Sequence, residues 1–235
     1  MRPHLILHNA VSLDGRLLEW EMVDMALYYG LVGAFDEQAT LVGTDTVLFG
    51  AAHEGVVEDP PDIVSVDSTS EDSRPLLVVP DSRGRVRVWR WMLSQSYWRA
   101  GVALCSATTP EDHLEYLERS RVDRIVAGDD HVDLVEALTA LADRYGIERV
   151  RVDSGGTLNG VLLRLRLVAE VSLLVAPVLM GDDCSQPFYR GPATVPVRGH
   201  PEMRLVSVEQ LDGDHLWLRY ELTSQCQDRR NLARS

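Results

Sequence analysis

Residues 149–160 read Arg-Val-Arg-Val-Asp-Ser-Gly-Gly-Thr-Leu-Asn-Gly and predict a strand, a glycine turn and the start of a helix. The β-branched Val150 and Val152 favour a short buried strand, and apolar residues at helical spacing begin at Leu158. Paired glycines let a backbone approach a ligand closely, and the free N–H groups at a helix N-terminus favour a phosphate. Alternatively, the pair only makes a tight turn, because the fuller glycine pattern of a dinucleotide site is absent.

The chain outside this stretch has the composition of a globular protein. Its 235 residues are 45% apolar and 25% charged. A chain of this length can bury one large core. We expect one domain over residues 1–223, followed by a polar, arginine-rich and frayed tail over residues 224–235.

Charge and cysteine usage exclude several classes of function. A formal net charge of −13 at pH 7 argues against nucleic acid as a partner. No apolar run approaches the roughly 18 residues that span a bilayer, so no membrane association is expected. The first residues lead directly into a strand-like run, which favours the cytoplasm over secretion. Three widely spaced cysteines predict neither disulfides nor a metal site, and the absence of lysine removes Schiff-base chemistry.

Strands and helices alternate along most of the chain. Strands are predicted at residues 5–10, 39–43, 76–79, 102–105, 124–127, 149–152 and 170–176, with an antiparallel hairpin at residues 204–208 and 216–222. Residues 50–74 have no clear period and are expected to be a long surface excursion. The pattern predicts an α/β fold, a mostly parallel central sheet flanked by helices with a C-terminal antiparallel hairpin. Ligands bind such sheets beyond the carboxyl ends of the strands.

Four blocks together resemble a known family. They are NAVSLDGR at residues 9–16, LVGTDTVL at residues 41–48, LLVVPDS at residues 76–82, and VDSGGTLN at residues 152–159, which continues through residues 167–170 and 176–181. In this order they resemble the reductase domain of riboflavin biosynthesis, the RibD C-terminal domain family. The resemblance implies a dihydrofolate-reductase-like fold and the activity of a diaminohydroxyphosphoribosylaminopyrimidine reductase.

The resemblance also implies a cofactor, a substrate and an assembly. Hydride would pass from NADPH to C1′ of a ribosylamino-pyrimidine 5′-phosphate, opening the sugar to a ribitylamino chain, and the enzyme would be a homodimer. Asp153 takes the place of a substrate-contacting glutamate. The implied cofactor contacts are Val11, Thr46, Ser82, Gly155, Gly156, Thr157, Leu158 and Asn159.

Four further side chains are candidates with two interpretations each. Asp14 could orient the substrate or relay the proton that a reduced imine needs, or it could only form a turn before Gly15. Trp20 could stack on substrate or nicotinamide, or pack in the core. His8, inside an apolar strand, is expected to be a core histidine rather than a catalyst. His53 could meet a substrate phosphate, but it is expected to be a solvated loop histidine.

The sequence departs from the family pattern after Thr46 and at residue 169. Phe49-Gly50-Ala51 stands where the family has Asp-Asp-Pro, and Ala169 where it has aspartate. Glu58-Asp59-Pro60 could be the displaced counterpart of this Asp-Asp-Pro after an insertion, but no role is assigned to it. The alternatives are therefore a reductase of the same fold acting on a pterin or another small heterocycle, and a nucleotide-binding protein without catalysis.

Overall fold

A single mixed sheet dominates the computed structural model, which describes residues 1–59, 72–181, 186–190 and 202–223. Within these ranges its nine strands are β1 (His4–Val11), β2 (Ala39–Leu41), β3 (Leu76–Pro80), β4 (Ala100–Cys105), β5 (Asp123–Val126), β6 (Arg149–Val152), β7 (Val168–Val175), β8 (Met203–Gln210) and β9 (Leu216–Leu222). Their order is β5-β4-β3-β2-β6-β1-β7-β9-β8. Only the two pairs that include β9 are antiparallel. The predicted mostly parallel α/β fold with a C-terminal antiparallel hairpin is confirmed.

Helices connect the parallel strands. In the described part of the chain they are α1 (Met25–Val32), α2 (Thr44–His53), α3 (Trp89–Ser94), α4 (Glu111–Arg119), α5 (Leu134–Tyr145) and α6 (Gly156–Arg164). The carboxylates of Asp24 and Asp133 cap α1 and α5 by accepting hydrogen bonds from first-turn N–H groups. Gly146 ends α5 with φ 66°, as predicted from its position after the last apolar residue.

The helix α2 corrects the predicted surface excursion. Residues 50–74 were expected to lack regular structure, but α2 continues to His53. Val47 and Ala51 lie one turn apart and are buried against the sheet, which stabilises this helix. Only two buried apolar positions mark it, so the period is difficult to detect in the sequence. Residues 60–71 and the predicted frayed tail at residues 224–235 lie outside the described residues.

The sequence analysis did not predict α3. Its six residues include Trp89 and Met92, which are buried, but one turn gives no repeated period. The carboxylate of Asp59 accepts hydrogen bonds from the backbone N–H groups of Arg90 and Trp91 at 2.7 and 3.3 Å and from the Tyr116 hydroxyl at 2.7 Å. A distant side chain therefore caps α3.

Both faces of the sheet are buried. Leu5, Leu7 and Leu41 lie on the face that α5 and α6 cover. On the opposite face, Leu77 packs under α2, α3 and α4, and Ile6 packs against Phe35 after α1. Burial on two sides explains why β3 and β4 are apolar at every position, as expected of parallel strands.

His8 is a core histidine, as predicted. Its side chain is fully buried, and its Nδ1 lies 3.0 Å from the hydroxyl of Ser172, which accepts a hydrogen bond from Trp217 Nε1 at 2.8 Å. The imidazole stacks on the ring of Tyr28 with 4.4 Å between centroids. Its Nε2 has no hydrogen-bond partner among the described residues. Burial, and then the positive charge of Arg151, lower the pKa of His8 to about 4.

The lowered pKa of His8 predicts a loss of stability in acid. An unfolded histidine has a pKa of about 6.5, so below that pH the unfolded chain binds a proton that the folded protein does not. The free energy of unfolding therefore falls as the pH drops from about 6.5 to 4. In urea unfolding we expect wild type to lose about 2–3 kcal/mol more than His8→Phe between about pH 7 and pH 4.5. His215→Gln, in the β8–β9 connection, is the control, and equal losses in wild type and His8→Phe would contradict the prediction.

Candidate functional site

The carboxyl ends of four neighbouring strands bring the predicted site residues to one edge. In the sheet β3, β2, β6 and β1 are adjacent and parallel, so the loops after them lie side by side. Ser82 follows β3, Thr46 follows β2 at the start of α2, Asp153 follows β6, and Val11 ends β1. The prediction that these segments converge at one edge is confirmed.

Ser154 joins three of these loops, although the sequence analysis gave it no role. Its buried hydroxyl accepts a hydrogen bond from the Gly43 N–H at 3.1 Å and lies 3.4 Å from the hydroxyl of Thr46. Its carbonyl accepts a hydrogen bond from Asn9 Nδ2 at 2.9 Å. The position of Ser154 directly before the paired glycines was the signal in the sequence that could have indicated this role. Ser154 fixes the distance between α2 and the N-terminus of α6.

Gly155 faces open space at the N-terminus of α6. It is the N-cap of the helix, and within the described part of the chain no side chain caps the first turn. A Cβ built on Gly155 would have the Thr46 hydroxyl, 4.0 Å away, as its nearest neighbour. The first N–H groups of a helix lack intrahelical partners and carry partial positive charge. This corner therefore has the space, the donors and a neighbouring hydroxyl that an anionic phosphate requires.

The two glycines of the pair have different structural roles. A Cβ on Gly156 would lie 2.2 Å from the carbonyl oxygen of Pro187, so this glycine allows the segment at residues 186–190 to pack on α6. The side chain of Asn159 is fully buried and donates hydrogen bonds to Asn9 Oδ1 at 3.0 Å and to the carbonyl of Phe188 at 3.1 Å. Close approach at Gly156 is to the chain itself, a role that the sequence analysis did not predict.

The other predicted cofactor contacts differ in their exposure. Thr157 is exposed and Leu158 half-buried in the first turn of α6, whereas Val11 is buried at the end of β1. The hydroxyl of Ser82 accepts a hydrogen bond from the N–H of Val132 at 2.9 Å, which fastens its loop to the start of α5. Thr157 therefore presents the most accessible side chain of this set.

The carboxylate of Asp14 holds two loops together. It accepts hydrogen bonds from the hydroxyl of Ser12 at 2.6 Å and from the N–H groups of Met180 and Gly181 at 3.1 and 2.9 Å. These bonds, the one from Ser12 first, lower the pKa of Asp14 to about 2. At neutral pH the group is ionised and has no proton to donate. The geometry favours a role for Asp14 in orienting these two loops over the predicted proton relay.

Trp20 packs over the second half of α2. A Cβ on Gly50 would lie 2.8 Å from the Trp20 ring, and the ring meets His53 edge to face at 6.2 Å between centroids. Trp20 is 39% exposed, so a core role is wrong and its other face remains accessible. His53 is exposed, as predicted. The missing side chain of Gly50 makes room for the indole.

Asp153 belongs to a charged group that the sequence analysis missed. Its Oδ2 accepts a hydrogen bond from Arg151 Nη1 at 2.7 Å, and its Oδ1 from the Tyr28 hydroxyl at 3.1 Å. Arg151 is 4% exposed and donates through Nε to Glu37 Oε2 at 2.5 Å. An arginine at a buried position of β6 was the only signal in the sequence. The Asp153 side chain is 28% exposed, so it is the accessible end of this group.

A ligand edge at the carboxyl ends of central parallel strands is typical of nucleotide-binding α/β proteins. The family model of the RibD C-terminal domain matches residues 3–217, and the chain belongs to this family. The 2,5-diamino-6-ribosylamino-4(3H)-pyrimidinone 5′-phosphate reductase of Methanothermobacter thermautotrophicus is 32% identical to it over 190 residues, covering 77% of this chain and 81% of the relative. The family resemblance identified from the four sequence blocks is therefore confirmed.

Two solved structures share the fold. A pyrimidine reductase-like protein of Corynebacterium diphtheriae has a TM-score of 0.70 at 16% identity and covers 95% of this chain and 93% of its own. RibD of Acinetobacter baumannii has a TM-score of 0.67 at 20% identity and covers 94% of this chain. This chain spans 58% of the length of that second protein.

Two further observations concern membranes and metals. Each helix in the described ranges is too short or too polar to cross a bilayer. Within the same ranges, histidine, cysteine and carboxylate side chains form no group of three that could hold a metal ion.

Proposed function

We propose that the protein is an NADPH-dependent reductase of riboflavin biosynthesis that acts on a ribosylamino-pyrimidine 5′-phosphate. Family membership and the name of the Methanothermobacter relative support an oxidoreductase of this pathway. The observation that carries the proposal is the open corner at Gly155, which lies at the N-terminus of α6, beside Thr46 and two residues after Asp153. An anion site and a carboxylate on one short segment suit a phosphate-bearing cofactor and an amino-substituted ring.

The cofactor fits this corner for a steric and an electrostatic reason. The space beside Gly155 would be filled by a side chain, and the first-turn N–H groups of α6 are donors for a phosphate. We assign Thr46 and Thr157 to hydroxyl contacts with the cofactor, and Gly156 to a contact through its N–H. Val11, Ser82 and Leu158 would contribute backbone or packing contacts. Asn159, implied as a cofactor contact by the family resemblance, is fully buried and would instead hold the first turn of α6 against Asn9. NADPH supplies the hydride when bound.

The chain's own residues would bind and orient the substrate. Asp153 would accept hydrogen bonds from ring N–H groups, and the accessible face of Trp20 would stack on the heterocycle. Reduction of the open imine form adds hydride at C1′ and one proton at the amine nitrogen. The lowered pKa of Asp14 keeps it ionised at neutral pH, so we assign it to holding the neighbouring loop and not to supplying that proton.

A turnover assay tests the proposed reaction. Purified protein is mixed with NADPH and the ribosylamino-pyrimidine phosphate while the absorbance of the reduced cofactor is followed. Oxidation that requires this substrate supports the proposal, and formation of the ribitylamino product verifies where the hydride goes. Oxidation only with a dihydropterin would support the alternative heterocycle reductase. Binding of both ligands without oxidation would support the non-catalytic alternative.

We also propose that residues 1–223 fold as one domain and that the enzyme acts in the cytoplasm.

We further propose that the enzyme is a homodimer in which a second copy packs on β8. This strand ends the sheet, and Leu205, Val206 and Val208 on it are 48%, 40% and 55% exposed. An exposed apolar edge strand is prone to pair with another chain. A homodimer would bury these side chains.

The dimer proposal predicts the effect of one charge on β8. Val208→Arg should convert the dimer into a monomer in size-exclusion chromatography with light scattering, because an arginine would be desolvated in the contact. Val57→Arg places the same charge at a side chain that is 90% exposed and should leave the mass unchanged. A monomeric wild type, or a dimeric Val208→Arg variant, would contradict the proposal.

A further inference from the structure

We propose that Tyr28 is a positioning residue for the substrate contact Asp153. The Tyr28 hydroxyl holds one carboxylate oxygen of Asp153, and Arg151 holds the other. The side of the carboxylate that neither residue contacts then faces paired N–H groups of an amino-substituted ring. This inference rests on the proposed function and deepens it. It adds a residue of α1 to a site otherwise formed by the loops at the carboxyl edge of the sheet.

The Tyr28 hydroxyl has two acceptors and one proton. It lies 2.9 Å from the carbonyl oxygen of His8 and 3.1 Å from Asp153 Oδ1. Burial, and then the negative charge of Asp153, hold the pKa of Tyr28 well above its usual value. The hydroxyl therefore remains a donor at every pH at which the enzyme would work. Stacking of its ring on His8 fixes the direction from which it approaches Asp153.

Arg151 fixes the second oxygen of Asp153. Burial alone would lower the pKa of Arg151, but the charges of Asp153 and Glu37 raise it above its usual value, so the group stays a cation. Glu37 binds the Nε side of the guanidinium and Asp153 its Nη1. Two carboxylates thus share one guanidinium. Asp153 is the more exposed of the two carboxylates, so it is the one that a ligand can reach.

The free edge of Asp153 determines the class of group that it can bind. A carboxylate has about four lone-pair directions. Among the described residues Tyr28 occupies one on Oδ1 and Arg151 one on Oδ2, which leaves one lone-pair direction on each oxygen of a side chain that is 28% exposed. Two N–H donors on adjacent ring positions match this arrangement, whereas the negative charge repels a phosphate. The ring of the substrate, and not its phosphate, would therefore lie at Asp153.

Two buried tyrosines allow a matched comparison. Tyr28 and Tyr116 are each 6% exposed, and each donates to an aspartate, Tyr116 to Asp59 at 2.7 Å. In the turnover assay we expect Tyr28→Phe to raise KM for the pyrimidine phosphate about tenfold, which is about what one hydrogen bond to a charged group supports. The kcat and the KM for NADPH should stay nearly unchanged. Tyr116→Phe should alter none of the three.

A double-mutant cycle separates positioning from general packing. If Tyr28 acts through Asp153, Tyr28→Phe should not weaken equilibrium binding of the pyrimidine phosphate further in an Asp153→Ala background. Additive losses would overturn the inference, as would equal KM changes in Tyr28→Phe and Tyr116→Phe. A wild type that binds the pyrimidine phosphate but does not reduce it refutes the proposed reaction, and the binding cycle still decides the role of Tyr28.

Discussion

Replacement of Asp153 by alanine should lower kcat/KM for the pyrimidine phosphate by about a thousandfold, which corresponds to roughly 4 kcal/mol. The variant removes the acceptor for ring N–H groups and leaves those groups desolvated and unpaired when the substrate binds. Most of the loss should appear in binding of the pyrimidine, because the carboxylate is assigned to the ring and not to the reacting carbon. Steady-state kinetics with each substrate varied in turn would measure it.

Two control variants test whether the loss of activity comes from the carboxylate of Asp153. Asp153→Glu keeps the carboxylate that the family carries at this position and should retain much more activity than Asp153→Ala. Asp112→Ala removes a carboxylate of α4 that pairs with Arg87. This ion pair lies outside the candidate site, so kcat/KM should stay unchanged. A drop of less than about tenfold in Asp153→Ala would show that the substrate ring binds elsewhere.

Gly155→Val should weaken NADPH binding by about a hundredfold, or roughly 3 kcal/mol, with little effect on the melting temperature. Among the described residues only the Thr46 hydroxyl lies within 4.0 Å of a Cβ built on Gly155, and the φ of −75° at Gly155 suits any residue. The new side chain therefore fits the folded protein, but it occupies the space that a phosphate needs. Calorimetric titration with NADPH and a thermal melt would separate the two effects.

Other glycines provide the comparison for Gly155→Val. Gly30 in α1 also has open space around it, so Gly30→Val should leave NADPH affinity unchanged. Gly156→Ala should instead destabilise the fold by about 1–3 kcal/mol, since its Cβ would overlap the carbonyl of Pro187. If NADPH binds Gly155→Val as tightly as wild type, the cofactor does not use this corner, and the assignment of Thr46 and Thr157 fails with it.

The positions of the site loops were predictable because they depend on local pattern and topology. Apolar runs marked the central strands, and Gly146 marked the end of α5. Parallel strands place their carboxyl ends at one edge of the sheet, so Thr46, Asp153 and Gly155 were expected at the same edge. Their proximity depends on the pairing of β2 with β6, which the structure shows. The family blocks added a chemical expectation to this geometry.

The contacts of individual side chains were not predictable in the same way. The bond from Tyr28 to Asp153 joins residues 125 positions apart, and the ion pair of Arg151 with Glu37 joins residues 114 positions apart. No periodicity links such pairs, because each depends on how α1 and β2 pack against β6. Asp14 is the same case, since the loop that donates to it follows β7.

The amino-acid sequence by itself determined the parallel α/β sheet, the glycine corner before α6 and the family. Strand and helix periods, turn residues and short motifs each involve only a few neighbouring residues. They can therefore be recognised in the sequence without knowledge of the packing. Only the tertiary structure decided that Gly155 is open while Gly156 is covered by the chain, and that Asp153 is held by Tyr28 and Arg151. Those distinctions depend on which distant segment lies within a few ångströms, and that is a property of the folded chain alone.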